Sequence, residues 1–133
     1  MAGFARHLLV LAALLLAAAG SARADTRTDY LLYCRGCHLA NGEGVPPVVP
    51  TLHDLGPLVA TPTGREYIIR VPGVAQTEMN DTRLTAVLNW VLQEFNANTL
   101  PDDFKPYSVQ EVSASRYKVL TDPVRTRAEI LTD

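Results

Sequence analysis

The stretch Cys34-Arg35-Gly36-Cys37-His38 decides the fold, because it is the C-x-x-C-H pattern through which a haem is attached to a chain. Two residues between the cysteines place both thiols where they can add across the two vinyl groups of one porphyrin. The adjoining imidazole then falls under the ring, where it binds the iron. We therefore expect one covalent haem c, with Cys34 and Cys37 as thioethers and His38 as a metal ligand.

Other uses of two nearby cysteines fit this sequence less well. A zinc site takes about four ligands, and beyond the first 24 residues the only histidines are His38 and His53. A thioredoxin-like dithiol follows a hydrophobic strand, whereas the sequence 29–33 is typical of the end of a short helix. A disulfide closing a two-residue loop is the remaining alternative. The motif and its context favour haem over all three.

The first 24 residues have the pattern of a secretory signal peptide. A short basic start at Arg6 and His7 precedes the apolar run 8–19, and Ala22-Arg23-Ala24 fits the small-x-small cleavage rule. The apolar run is shorter than the roughly 20 residues that span a bilayer, and no later segment is long enough. We expect cleavage after Ala24, a mature chain with no stable membrane insertion, and location in the periplasm, where haem c is attached.

Removing 24 residues from 133 leaves 109, enough for one small domain. A domain of this size is marginal on apolar burial alone, so a haem would supply part of the core. The signal holds two of the 12 basic residues and none of the 14 acidic ones, which leaves a formal charge of about −4 on the mature chain. This balance does not indicate nucleic-acid binding.

Hydrophobic periodicity along the mature chain predicts an all-α fold with long irregular connections. We expect a first helix over 25–34, a loop over 39–57 that is rich in glycine and proline, and a short helix that opens at Thr63 and is stopped by Pro72-Gly73. The clearest helix runs from Asp81, a good N-cap, to about Asn96. Its apolar stripe recurs at helical spacing and consists of Leu84, Val87, Leu88, Val91, Leu92 and Phe95.

These motifs together resemble class I cytochrome c over residues 25–96. The resemblance rests on an aromatic-bearing first helix ending in the C-x-x-C-H motif, on Asn41-Gly42-x-Gly44, on Pro50-x-Leu52, and on a last helix containing Trp90. It implies a cytochrome c-like fold in which His38 is the proximal ligand and a backbone carbonyl at Pro50 accepts its other ring N–H. It also implies that Leu52 packs on the haem face. Trp90 is interpreted as packing against Tyr30 or Tyr33 rather than as an electron relay.

The second axial ligand is predicted to be Met79, the one methionine left after signal removal. A thioether ligand favours reduced iron and raises the potential, which suits electron transfer. The family usually places its methionine in a Met-Pro pair several residues before the last helix, whereas here Met79 is followed by Asn80 and directly precedes the helix. The alternative is that Met79 only packs beside the helix start. His53 competes as a ligand, but its place beside Leu52 favours a surface or propionate-contacting histidine.

Residues 99–133 extend beyond the cytochrome c domain, which we place at 25–98. Ser108-Val109-Gln110-Glu111 has the form of a capping box and predicts a further helix toward Leu120. Asp122-Pro123 predicts another by its N-cap and first-position preferences. We expect this C-terminal helical extension to wrap the domain rather than to present a docking surface, because its apolar residues form no broad exposed stripe.

The predicted function is a periplasmic monohaem cytochrome that carries single electrons between a dehydrogenase donor and an oxidase or cytochrome acceptor. Such a protein performs no chemistry on a substrate. One alternative is a haem enzyme or ligand sensor with an open distal position, which would need a polar side chain such as Arg65 or Arg70 over the iron. Another is a dedicated electron-transfer subunit held to one dehydrogenase by the C-terminal helices.

Overall fold

The computed structural model describes residues 25–132, and the regular structure within that range is helix, joined by irregular segments and a single β-bridge between Val45 and Val49. The expected all-α architecture is confirmed. The signal peptide predicted for residues 1–24 lies outside the described residues. The helices are α1 (Thr26–Tyr33), α2 (Arg35–His38), α3 (Gly56–Val59), α4 (Pro62–Arg70), α5 (Pro72–Ala75), α6 (Asp81–Asn96), α7 (Val109–Ser115) and α8 (Pro123–Thr132).

The core is built on the apolar stripe of α6, which packs against α1, and Tyr30 joins the two helices. Tyr30 is fully buried, and its ring centroid lies 5.2 Å from that of Trp90 and 5.5 Å from that of Phe95. Aromatic rings at these separations attract one another beyond the area they bury. The interpretation of Trp90 as a packing residue is therefore confirmed, with Tyr30 as its partner.

The start of α6 differs by one residue from the prediction, which made Asp81 the N-cap. Asn80 is the cap, because its side-chain oxygen accepts a hydrogen bond from the Arg83 backbone N–H at 3.0 Å. Asp81 is instead the first helical residue, and its carboxylate accepts a hydrogen bond from Arg116 at 2.6 Å. The sequence offers two good capping residues in a row; Asn80 caps the helix, and Asp81 binds a partner 35 residues away.

The C-terminal segment wraps the body, as expected. Tyr107 and Val112 are buried, and the Tyr107 hydroxyl donates to the Arg65 carbonyl at 3.0 Å. Asn89 on α6 exchanges two hydrogen bonds with the backbone of Tyr107, at 2.7 and 3.0 Å. Ser108 caps α7 by accepting from the Glu111 N–H at 3.1 Å. These contacts hold the segment across α4 and α6.

In the part of the chain that the structure describes, no helix is both long and apolar enough to cross a bilayer.

Candidate functional site

The two cysteines and the histidine of the motif lie on a single turn of helix. At the end of α1 the Cys34 N–H donates a hydrogen bond to the Tyr30 carbonyl at 2.9 Å. The Cys34 carbonyl in turn accepts one from the His38 N–H at 3.0 Å. Positions i, i+3 and i+4 of a helical turn share one face. Leu39 ends the turn with a φ of 53°. The local fold therefore presents two thiols and an imidazole from one side of a short, closed turn.

The state of the thiols argues against a redox dithiol. Both cysteines are free, with Cys34 half-buried and Cys37 exposed. Burial, followed by the negative charge of Asp29, raises the pKa of the Cys34 thiol to about 11. A catalytic dithiol needs a thiol whose pKa is lowered, because the thiolate is the nucleophile. Residues 25–132 also bring together no group of three His, Cys, Asp or Glu side chains of the kind a zinc ion would need.

The His38 imidazole has the properties of an iron ligand. Its Nδ1 atom is buried and has no partner of good hydrogen-bond geometry. Burial lowers the pKa of His38, and the nearby carbonyl of Pro50 partly opposes that effect. The ring is therefore neutral near pH 7, which is the form that binds a metal. The donor set fits a haem iron, and the structure brings Pro50 beside His38 as the resemblance implies.

The loop after the motif is folded back by short backbone contacts. The Leu52 N–H donates to the Gly42 carbonyl at 2.8 Å, and Val45 and Val49 exchange two hydrogen bonds, at 2.8 and 2.9 Å. Gly44 lies against the chain at Pro50, where a Cβ atom would collide with the Val49 carbonyl oxygen and the Pro50 carbonyl. The absence of a side chain at Gly44 thus allows the segment carrying Pro50 to pass beside His38.

Replacing Gly44 by alanine is expected to destabilise the protein by about 1–3 kcal/mol, because the backbone around Pro50 must move to admit the methyl group. The matched control is Gly73→Ala, since a Cβ at Gly73 meets nothing within 4 Å. Urea unfolding of both haem-loaded variants measures the difference. Equal midpoints for the two variants would contradict the packing described here.

His53 is occupied by a structural contact. Its Nε2 atom donates to the Asn41 carbonyl at 2.9 Å, since a carbonyl can only accept. The ring also packs against Phe95, with centroids 5.4 Å apart. His53 therefore ties the loop after the motif to α6, which agrees with the surface-histidine interpretation and not with a second iron ligand.

Met79 lies in the protein core. Its side chain is 2 % exposed, and it belongs to the same cluster as Tyr30 and Leu84, against which Cys34 and Leu52 pack. Of the predicted site residues, Met79, Cys34 and Leu52 thus share this apolar cluster, whereas Cys37, His38 and Pro50 do not belong to it. Met79 itself precedes α6 in a non-helical segment, and its carbonyl is held by Arg116 at 2.9 Å.

One residue that shapes this region was not predicted from the sequence. Asn96 is 1 % exposed; its side-chain oxygen accepts from the Leu55 N–H at 2.7 Å, and its amide donates to the Leu52 carbonyl at 2.9 Å. It fixes the Pro50-x-Leu52 segment to the end of α6. The sequence signal was present, because Asn96 follows Leu92 at i+4 and so places a polar side chain on the buried stripe.

Comparison with known proteins identifies the family. The chain is 32% identical over 139 aligned residues to a cytochrome c-552 of Thermus thermophilus, covering 90% of this chain and 93% of that protein. It belongs to the c-type cytochromes. A second cytochrome c-552 of Thermus thermophilus is 31% identical over 115 residues, covering 72% of this chain and 87% of that protein. No family model matched the chain, and no solved structure matched it.

Membership implies haem c as the cofactor, a helical cytochrome c fold, and action as an electron carrier. Two arginines of the cytochrome that an enzymatic alternative would use have other partners. Arg65 donates to both carboxylate oxygens of Glu111, at 2.8 and 2.9 Å, and Arg70 donates to the Lys118 carbonyl at 2.6 Å. Both side chains therefore dock the C-terminal segment instead of serving as distal acid-base groups.

Proposed function

We propose that this cytochrome is an exported monohaem protein that carries single electrons between redox proteins of the periplasm. The observation that carries the proposal is the helical turn that presents Cys34, Cys37 and His38 on one face. The chain has only two cysteines, so it has one C-x-x-C-H motif and attaches one haem covalently. When bound, the haem supplies an iron that cycles between two oxidation states.

The chain's own residues then have distinct tasks. Cys34 and Cys37 fix the porphyrin through thioether bonds, so that the cofactor is not lost. The Pro50 carbonyl lies close to the His38 ring and would accept its second N–H once the haem is held, which orients the imidazole and raises its basicity toward the metal. Leu52 and Met79 exclude water from the surroundings, and the Met79 thioether would be the second side chain to hold the iron, a donor that favours the reduced state.

The proposal also names a compartment and two classes of partner. Residues 1–24 direct export, with cleavage after Ala24, and haem c attachment takes place where the chain arrives. The donor is a dehydrogenase and the acceptor an oxidase or another cytochrome. A carrier meets both in turn, so we expect each contact to be small and short-lived.

Optical spectra of the haem-loaded wild type, of Met79→Ala and of His53→Ala test this function. The wild type and His53→Ala should show the sulfur-to-iron charge-transfer band in the oxidised state and should not bind carbon monoxide when reduced. Met79→Ala should lose the band and bind carbon monoxide, because its iron keeps only the ligand from His38. His53→Ala is the control for a general disturbance of the site, since His53 bonds to the Asn41 carbonyl.

A wild type that lacks the sulfur band and binds carbon monoxide readily would overturn the assignment of Met79. The protein would then have an open position on the iron, as ligand sensors and haem enzymes do. A wild type that shows neither the band nor carbon monoxide binding, with carbon monoxide binding gained in His53→Ala, would instead transfer the ligand role to His53.

A further inference from the structure

A single arginine from the C-terminal segment reaches the loop that contains Met79. Arg116 caps the end of α7 and is 5 % exposed. Its guanidinium donates to the carbonyls of Met79 at 2.9 Å, Thr77 at 2.8 Å and Ala75 at 3.4 Å. It also donates to the Asp81 carboxylate at 2.6 Å.

These acceptors span the whole connection between α5 and α6. Ala75 is the last residue of α5 and Asp81 the first of α6, and residues 76–80 between them are not helical. Carbonyl groups in such a segment have no regular backbone partners, and leaving them buried without a donor is costly. The planar guanidinium has five N–H donors in a fixed fork, so one side chain can satisfy several of them.

The C-terminal segment stays docked through contacts that do not involve Arg116. Tyr107 is joined to Asn89 and to the Arg65 carbonyl, and Glu111 is paired with the Arg65 side chain. Arg116 is therefore delivered to the loop by a segment that is anchored elsewhere. The hydrogen bonds from Arg116 to the loop are therefore not the contacts that anchor the segment.

We propose that Arg116 is a positioning residue that holds the Met79 loop closed, and through it keeps the thioether on the iron. The inference rests on the proposed role of Met79 as the second axial ligand. It gives the extension beyond residue 98 a task in the redox site: Arg116 never touches the iron, but it controls how often the loop carrying its ligand opens.

The test compares Arg116→Gln and Arg116→Lys with two controls in the haem-loaded protein. Arg125→Gln removes the same charge from an exposed position whose partner is Glu129 in its own helix. Glu111→Gln weakens the docking of the C-terminal segment without touching the Met79 loop. Hydrogen exchange of the backbone amides of residues 76–80 reports loop opening, and the rate at which imidazole binds the oxidised iron reports loss of the thioether.

Both rates should rise about tenfold or more in Arg116→Gln, because several charge-assisted hydrogen bonds to the loop are lost together. In Arg116→Lys both rates should lie between those of the wild type and of Arg116→Gln, since an ammonium group cannot reproduce the planar set of guanidinium donors. Arg125→Gln should leave both rates unchanged. Glu111→Gln should lower the thermal midpoint without selective acceleration at 76–80.

Wild-type exchange at residues 76–80 in Arg116→Gln would overturn the inference, as would acceleration spread evenly over all amides. Faster loop exchange with unchanged imidazole binding, in a protein that shows the sulfur band, would overturn the link to the iron. If loop exchange is faster in Arg116→Gln but the wild type lacks the sulfur band, Arg116 still holds the loop closed, but Met79 is not a ligand and the link to the iron is overturned. The two failures are thus separated by the spectrum of the wild type.

Discussion

A Cys34→Ala/Cys37→Ala variant is expected to be exported without any covalently attached haem. Both thioether bonds depend on these thiols, and the chain has no other cysteine that could replace them. Acidified acetone should extract all haem from this variant, whereas it should extract none from the wild type. Haem staining after denaturing electrophoresis measures the outcome directly.

The same variant is expected to lose cooperative folding. A domain of about 110 residues has little apolar area to spare, and here Cys34 and Leu52 are only partly buried although they pack against the core. Without the haem, the apolar surface around Cys34 and Leu52 has nothing to pack against. Near-ultraviolet circular dichroism and urea unfolding should show a weak or absent transition.

Met79→Ala is the matched control for the cysteine variant, because it removes a side chain from the same core but keeps both thiols. It should retain haem after acid extraction. Retention of haem by the Cys34→Ala/Cys37→Ala variant under the same conditions would contradict covalent attachment at this motif. A haem-free variant that still unfolds with wild-type cooperativity would contradict the role of the cofactor in the core.

Local sequence signals predicted the parts of the fold that depend on neighbouring residues. The helical period of the stripe from Leu84 to Phe95 located α6, and the capping pattern at Ser108 located α7. Both depend on contacts within one helix or on its burial as a whole. The C-x-x-C-H motif is equally local, because one helical turn sets its geometry. Such features can be inferred without knowing what the chain packs against.

Long-range polar contacts could not be predicted in the same way. Nothing near Arg116 in the sequence indicates that its partners lie 35 to 41 residues earlier, or that Asp81 is one of them. Arg65 likewise finds Glu111 across 46 residues. A charged residue with a distant partner has the same sequence pattern as a solvated one, so these contacts could not be inferred from the sequence.

Asn96 differs from these arginines because its place on the buried stripe was visible in the sequence although its partners were not. Its replacement is expected to have the largest effect on stability among the haem-retaining variants. Asn96→Ala should cost about 2–6 kcal/mol, because the Leu55 N–H and the Leu52 carbonyl each lose a buried partner worth about 1–3 kcal/mol. Urea unfolding of the haem-loaded protein measures the loss. Asn98→Ala, at an exposed position two residues on, should change stability by less than about 0.5 kcal/mol.

The consequence should extend from stability to the redox site. Asn96 anchors the segment that contains Leu52, and two residues earlier Pro50 places its carbonyl beside His38. If that segment loosens, the imidazole loses its orienting contact and becomes a weaker donor to the iron. Asn96→Ala should therefore also shift the reduction potential, and Gly44→Ala should shift it too, because the Pro50 carbonyl must move to admit the methyl group. A potential equal to wild type in Asn96→Ala, despite the loss of stability, would show that Pro50 is held by the loop itself and not by the end of α6.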